Sequence, residues 1–338
     1  MTSVARPISL AHLEHMTDDI GLFEHALLDQ PRVEHGYCVD DVARGLIVTV
    51  REAPYSEVAA RLARVYLDFL AGAQDADGRM RNRRNVRGEW TDAPSTRDAW
   101  GRAVWGLGVT VGEGSDFADE ALEMFDRSAR HRSEHSRSMI FAALGAADVL
   151  GVLPGHASAR SLLTNAISMI DGPGMHALWP WPEARLRYAN ACLVDVVLAG
   201  GDLLDDPRLV DRGLELLSWL VDVETRDGHV SVTPVGGWGL GEPRPGFDQQ
   251  PIEVAALADA AMRAYAFTGD SQWADVVTKC AAWFDGHNDA SIAMTDHARG
   301  AGFDGLERAG RNENRGAEST LALLSTLQQA RRLVGVTV

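Results

Sequence analysis

Residues Ile252 to Phe284 read IEVAALADAAMRAYAF, then TGD, then SQWADVVTKCAAWF, and this stretch decides the fold. Its first half carries aliphatic or small residues on nearly every face, and a helix that is apolar all round must be surrounded by protein. In the second half Trp273, Val276, Val277, Cys280, Trp283 and Phe284 recur at i, i+3 or i+4 and i+7, so one face alone is apolar. The Gly269–Asp270 turn between them stops one helix and starts the next. The pair is a helical hairpin with one enclosed arm and one surface arm.

The same alternation extends outward along the chain. Segments 40–50, 97–110, 136–150, 187–204 and 316–334 share the all-round apolar character of 250–267. Single stripes lie between them: Val58, Leu62, Val65, Tyr66, Phe69 and Leu70; Phe117, Leu122 and Phe125; Leu162, Leu163, Ala166, Ile167 and Ile170; and Leu209, Val210, Leu214, Leu217 and Leu220. The text DDPRLVDRGLELLSWL from Asp205 echoes TGDSQWADVVTKCAAWF. With Leu10–Leu28 supplying a sixth outer helix, the pattern predicts an all-α (α/α)6 toroid or barrel, an inner ring of helices inside an outer ring, as one domain over 1–338.

Linker lengths alternate too. Turns after the enclosed helices are short, whereas 73–96, 172–186, 223–249 and 286–315 are long and rich in Gly, Pro, Trp and His. In such a ring all the long linkers lie at one end, with room for short β-hairpins, and that end is where binding sites sit. The enclosed helices begin where these linkers finish. Their first turns carry His35, Tyr37, Asp40 and Asp41; Arg97, Asp98 and Trp100; Glu183 and Arg187; Asp248, Gln250 and Glu253; and Glu318. Acidic residues also serve simply as helix caps there, so each one alone has a plain explanation.

Taken as a set they suit carbohydrate chemistry. Glycoside cleavage needs one carboxylic acid to protonate the leaving oxygen and one carboxylate to attack or to activate water or phosphate. Glu253, after Pro251 and within apolar text, is the expected acid; Asp98 or Asp41 is the expected base, with Asp40 and Glu183 as further catalytic candidates. Trp90, Trp100, Trp179, Trp181 and Trp238 supply faces on which a pyranose stacks, unless they anchor loops to the core. A sugar epimerase or isomerase would instead need histidine acid/base groups, for which His35, His176, His229 and His297 are placed in the long linkers. A saccharide-binding protein without chemistry is the third reading.

The 338 residues are 46% hydrophobic and 24% charged, the profile of a globular chain. Thirty-two basic against 48 acidic residues give a net charge of -16, which disfavours nucleic acid and anionic membranes as partners. The run RMRNRRNVR from Arg79 to Arg87 is the basic exception, a solvated loop or a face for an anionic substrate group. Cys38, Cys192 and Cys280 sit apart in apolar helical text and read as buried free thiols. No signal-peptide core and no apolar run of membrane-spanning length occurs, so a cytoplasmic location is expected. His131 and His135 fit H-x-x-E-H but lack a third ligand, and no nucleotide fingerprint is present, so no metal or cofactor is expected. A small oligosaccharide or glycoside is the expected partner, and a homo-oligomer stays open.

The paired helices, the TGDSQW turn and the carboxylates at enclosed-helix starts resemble the six-hairpin glycosidase superfamily, which includes unsaturated glucuronyl hydrolases, several mannosidases and, more distantly, the N-acylglucosamine epimerases. MTDDIGLFEHA at Met16–Ala26 and HGYCVDDVAR at His35–Arg44 also resemble an uncharacterised bacterial domain found alone or beside glycosyltransferases. The resemblance implies a funnel-shaped sugar site and, by analogy, hydrolysis or phosphorolysis. No catalytic motif of that superfamily matches residue by residue, so the catalytic candidates above rest on position and chemistry.

Overall fold

The computed structural model describes residues 8–170 and 178–336, and His176 lies outside them. Among the described residues twelve α-helices occur: α1 Ala11–His15, α2 Val39–Glu52, α3 Glu57–Ala73, α4 Asp98–Gly112, α5 Ala118–Ser128, α6 Ser136–Val152, α7 Ala157–Met169, α8 Asn190–Leu203, α9 Pro207–Val223, α10 Pro251–Thr268, α11 Ser271–Phe284 and α12 Ala317–Val336. From α2 onward, enclosed and one-faced helices alternate as the periodicity predicts. In α6 nearly every side chain from Arg137 to Leu150 is buried, whereas α7 buries only Ala159, Leu162, Leu163 and Ala166. Local chemistry sets the ends. Ser56 and Asp270 accept the N–H groups of Ala59 and Gln272 to start α3 and α11, and Gly269, at φ 67°, ends α10 in the left-handed region.

Contacts divide the chain into two compact units. In the unit formed by 13–170 and 196–210, α2 packs on α3 and α4, α4 on α5 and α6, and α6 on α7. Glycines allow the closest of these approaches: a Cβ on Gly108 would stand 2.1 Å from the Gly145 carbonyl oxygen, and one on Gly145 would stand 2.2 Å from that of Val104. In the other unit, formed by 8–12, 178–195 and 211–336, α10 packs on α11 and α12, and α11 on α12.

The linkers pair as two- and three-residue antiparallel strands. In the first-named unit Ala26–Leu27 joins Gln30–Pro31, and Tyr37–Cys38 joins Arg83–Arg84. In the other, Arg185–Leu186 joins Trp238–Gly239, Thr225–Arg226 joins His229–Val230, Thr295–Asp296 joins Ala301–Gly302, and Gly305–Glu307 joins Gly310–Asn312. One expectation is corrected: Leu10–Leu28 does not form a long outer helix. Its helix stops at His15, because the Asp18 carboxylate accepts the N–H groups of Ile20 and Gly21, and that turn competes with helix. No helix among the described residues is long and apolar enough to cross a membrane.

Candidate active site

A polar cluster in the unit containing α10 and α11 centres on Asp289, in the linker after α11. Its side chain is only 5% exposed. The Ser231 hydroxyl donates to Oδ2 at 2.5 Å, Gln249 Nε2 donates to the same oxygen, and His229 Nε2 lies 3.0 Å from Oδ1. Gln249 is held in turn by Trp283 Nε1, which donates to its Oε1 at 3.3 Å. The hairpin Thr225–Val230 carries His229 to this place, and its turn needs Gly228 at φ 85°. Burial alone would push the Asp289 carboxyl up, but the bonds from Ser231, His229 and Gln249, with the Arg226 charge, hold it below the usual carboxylate range. In the tautomer that carries its hydrogen on Nε2, the partly exposed His229 donates to Asp289 and keeps a lone pair on Nδ1.

Two buried carboxylates lie nearby in sequence and charge. Glu224, just past α9, accepts the Thr233 N–H at 3.1 Å. Burial, opposed by the Thr233 hydrogen bond and reinforced by the Glu253 charge, pushes its carboxyl up to about 7. Glu253, in the first turn of α10, is 6% exposed and accepts the N–H of Ala189 at 2.7 Å and of Asn190 at 3.4 Å, capping the start of α8. A small recess lined by Ser231, Thr233, Trp238 and Arg244 opens beside this group. Trp238 of that recess belongs to an aromatic cluster: Trp179 meets Trp219 and Trp238 edge-on at 5.1 and 5.4 Å, and Trp181 stacks on Trp219 at 5.8 Å. Trp179 and Trp181 are buried, while Trp238 is half-exposed and its Nε1 donates to the Glu242 carbonyl.

The other unit holds a second set. Tyr37 donates its hydroxyl to Asp18 at 2.6 Å, and Arg44 pairs with buried Asp41 at 2.5 Å. Asp98, at the start of α4, accepts from the Ser138 hydroxyl at 2.7 Å. Trp90 packs on Phe69 and lies under the Arg84 guanidinium, so that part of the basic run is tied to an aromatic surface. Trp100 is fully buried in α4.

Solved structures resemble the whole described arrangement. A D-mannose isomerase superposes with a TM-score of 0.71 over 98% of this chain and 100% of its own, at 10% identity. A sugar epimerase from a ruminal bacterium gives 0.70 over 95% of each chain at 11% identity, and a GH76 α-mannanase of Bacteroides thetaiotaomicron gives 0.65 over 96% and 95% at 9%. The chain has the (α/α)6 barrel fold. No family model matches it, and no curated protein matches it in sequence.

Within that fold the candidate residues separate by unit. Glu183, Arg187, Trp179, Trp181, Trp238, Asp248, Gln250, Glu253 and Glu318 belong to the unit of α10 and α12. His35, Tyr37, Asp40, Asp41, Trp90, Arg97, Asp98 and Trp100 belong to the other. Glu183, Arg187 and Gln250 meet their surroundings in part through backbone groups: the Glu183 carbonyl accepts from Trp179, that of Arg187 from Asn190, and that of Gln250 from the Glu253 N–H. His35 and His297 stand beside exposed Glu34 and Asp285, so neither shares the buried carboxylate support of His229. Sequence reasoning missed Glu224, Ser231 and Asp289. The GHVSV text at Gly228–Val232 was the available signal for the cluster's hairpin.

Proposed function

We propose that the protein is a carbohydrate-active enzyme that moves a proton on an open-chain sugar, an aldose–ketose isomerase or sugar epimerase, with His229 as the base. The observation that carries this reading is the His229–Asp289 pair, a partly exposed imidazole backed by a buried carboxylate with three side-chain partners. His229 Nδ1 takes the proton from the hydroxyl-bearing carbon next to the carbonyl, an enediolate forms, the hydroxyl proton of that carbon passes to the former carbonyl oxygen, and the imidazolium returns its proton to the former carbonyl carbon. One base on one face suffices for isomerisation. Epimerisation needs a second donor on the opposite face. The mannose isomerase and sugar epimerase among the structural neighbours support this substrate class.

The test is proton exchange in D2O with a panel of aldoses. The wild-type protein incorporates deuterium at C1 or C2, and His229→Asn lowers that incorporation by at least about a hundredfold, the lower end of general-base contributions. Full exchange in His229→Asn overturns the assignment. A second reading, hydrolysis or phosphorolysis of a short oligosaccharide with Glu253 as acid, draws support from the burial of Glu253 and from the GH76 neighbour. It requires Glu253→Gln to abolish turnover of a glycoside while binding survives.

A further inference from the structure

Cys38 lies on the short strand Tyr37–Cys38, immediately before α2, and its thiol is 3% exposed. Sγ is 3.4 Å from Asp40 Oδ2 and 3.3 Å from Asn82 Oδ1, so two acceptor oxygens share one thiol hydrogen. One of the two contacts therefore has no proton in it. Glu24 and Asp41 bring two more carboxylates to the same place: one donor atom each from Glu24, Cys38 and Asp41 lie within 4.8 Å of one another. The backbone holds these groups in register, since Cys38 pairs with Arg83 and the Val39 N–H donates to the Asn82 carbonyl at 2.9 Å. Arg83 on Glu24 and Arg44 on Asp41 are the facing cations.

We propose that Cys38, Glu24 and Asp41, with Asn82 Oδ1 as fourth donor, bind one divalent transition-metal ion of borderline softness, of which Zn2+ is the type. A thiolate selects against Mg2+ and Ca2+, which take oxygen ligands alone. Metal–sulfur bonds near 2.3 Å and metal–oxygen bonds near 2.0 Å set donors roughly 3.5 Å apart in a tetrahedron, against a limit of 4.8 Å among the Glu24, Cys38 and Asp41 donors and 3.3 Å from Cys38 Sγ to Asn82 Oδ1. Binding replaces the thiol hydrogen: Cys38 gives its proton to solvent and its sulfur lone pair to the ion, with no change in oxidation state. The Arg83 and Arg44 guanidinium groups, paired with Glu24 and Asp41, orient the two carboxylates.

The probe is Co2+, titrated into chelator-treated full-length protein. One equivalent is expected to raise a thiolate-to-cobalt charge-transfer band, and one equivalent of Zn2+ removes it. Cys38→Ser abolishes the band, whereas Cys192→Ser and Cys280→Ser keep it. Glu24→Gln, at the rim of the cluster, keeps the fold and weakens Co2+ binding at least about tenfold, the low end of what outer-shell partners alone contribute. Wild-type protein without the band, a band that survives Cys38→Ser, or unchanged affinity in Glu24→Gln overturns the proposal. Should Cys38→Ser fail to fold by circular dichroism, the Glu24→Gln titration decides alone.

Discussion

At the residue scale, the buried Asp289 carboxylate is defined by its partners, since Ser231, Gln249 and His229 all meet it in the folded chain. Asp289 stands in a linker whose text shows no period, and its partners Ser231 and Gln249 come from two other segments, so only folding brings the donors to it. Glu224 reads as an ordinary acidic residue at a helix end, yet it is 2% exposed and its carboxyl is pushed up to about 7. That shift has a stability consequence with a definite sign. A carboxyl raised in the folded state contributes stability below its unfolded value of 4.5, and the contribution is lost as pH rises through about 7. Replacement by Gln, which cannot ionise and still accepts the Thr233 N–H, is therefore expected to raise the melting temperature at pH 8 and to change it little at pH 4. The upper bound at pH 8 is about 3 kcal/mol, from the size of the shift. Thermal melts of Glu224→Gln across that range check it, and a variant less stable than wild type at pH 8 refutes it.

Elements were far more legible, because burial imposes a period that survives in the text. The small residues of the enclosed helices announce close packing, and α4 on α6 shows what they allow. Gly108→Ala or Gly145→Ala would drive a methyl into backbone oxygen, which cannot turn away as a side chain can. Either substitution is expected to cost about 2 kcal/mol or more despite alanine's better helix propensity. Gly151, near the end of α6, has nothing within 4 Å of its would-be Cβ, so Gly151→Ala is expected to stabilise by roughly 0.5–1 kcal/mol. Denaturant midpoints of the three variants test the contrast directly. The cap on α8 makes a parallel case. Glu253→Ala removes an acceptor for two buried N–H groups and should destabilise by about 1–3 kcal/mol. If Glu253 is only a cap, Glu253→Gln keeps exchange activity with a lowered melting temperature, which separates the isomerase reading from the glycosidase one.

For the whole molecule, alternation between enclosed and one-faced helices was enough to anticipate the order from α2 to α12, whereas the short helix at Ala11–His15 was not, because the Asp18 turn is a local competition that periodicity cannot register. The contact division raises a sharper question about cooperativity. It falls inside two helices: α8 carries 190–195 in one unit and 196–203 in the other, and α9 divides after Val210. A helix propagates residue by residue at little expense once nucleated, so melting one unit would fray both helices in the other. Unfolding is therefore expected to be a single cooperative transition. The three buried thiols report on it from separate places, Cys38 in one unit and Cys192 and Cys280 in the other. With chelator present, a thiol reagent should find none of them in the native protein and all three together at one denaturant midpoint. Labelling of Cys192 and Cys280 at a midpoint distinct from that of Cys38, read by mass spectrometry, would mean that the two units fold independently.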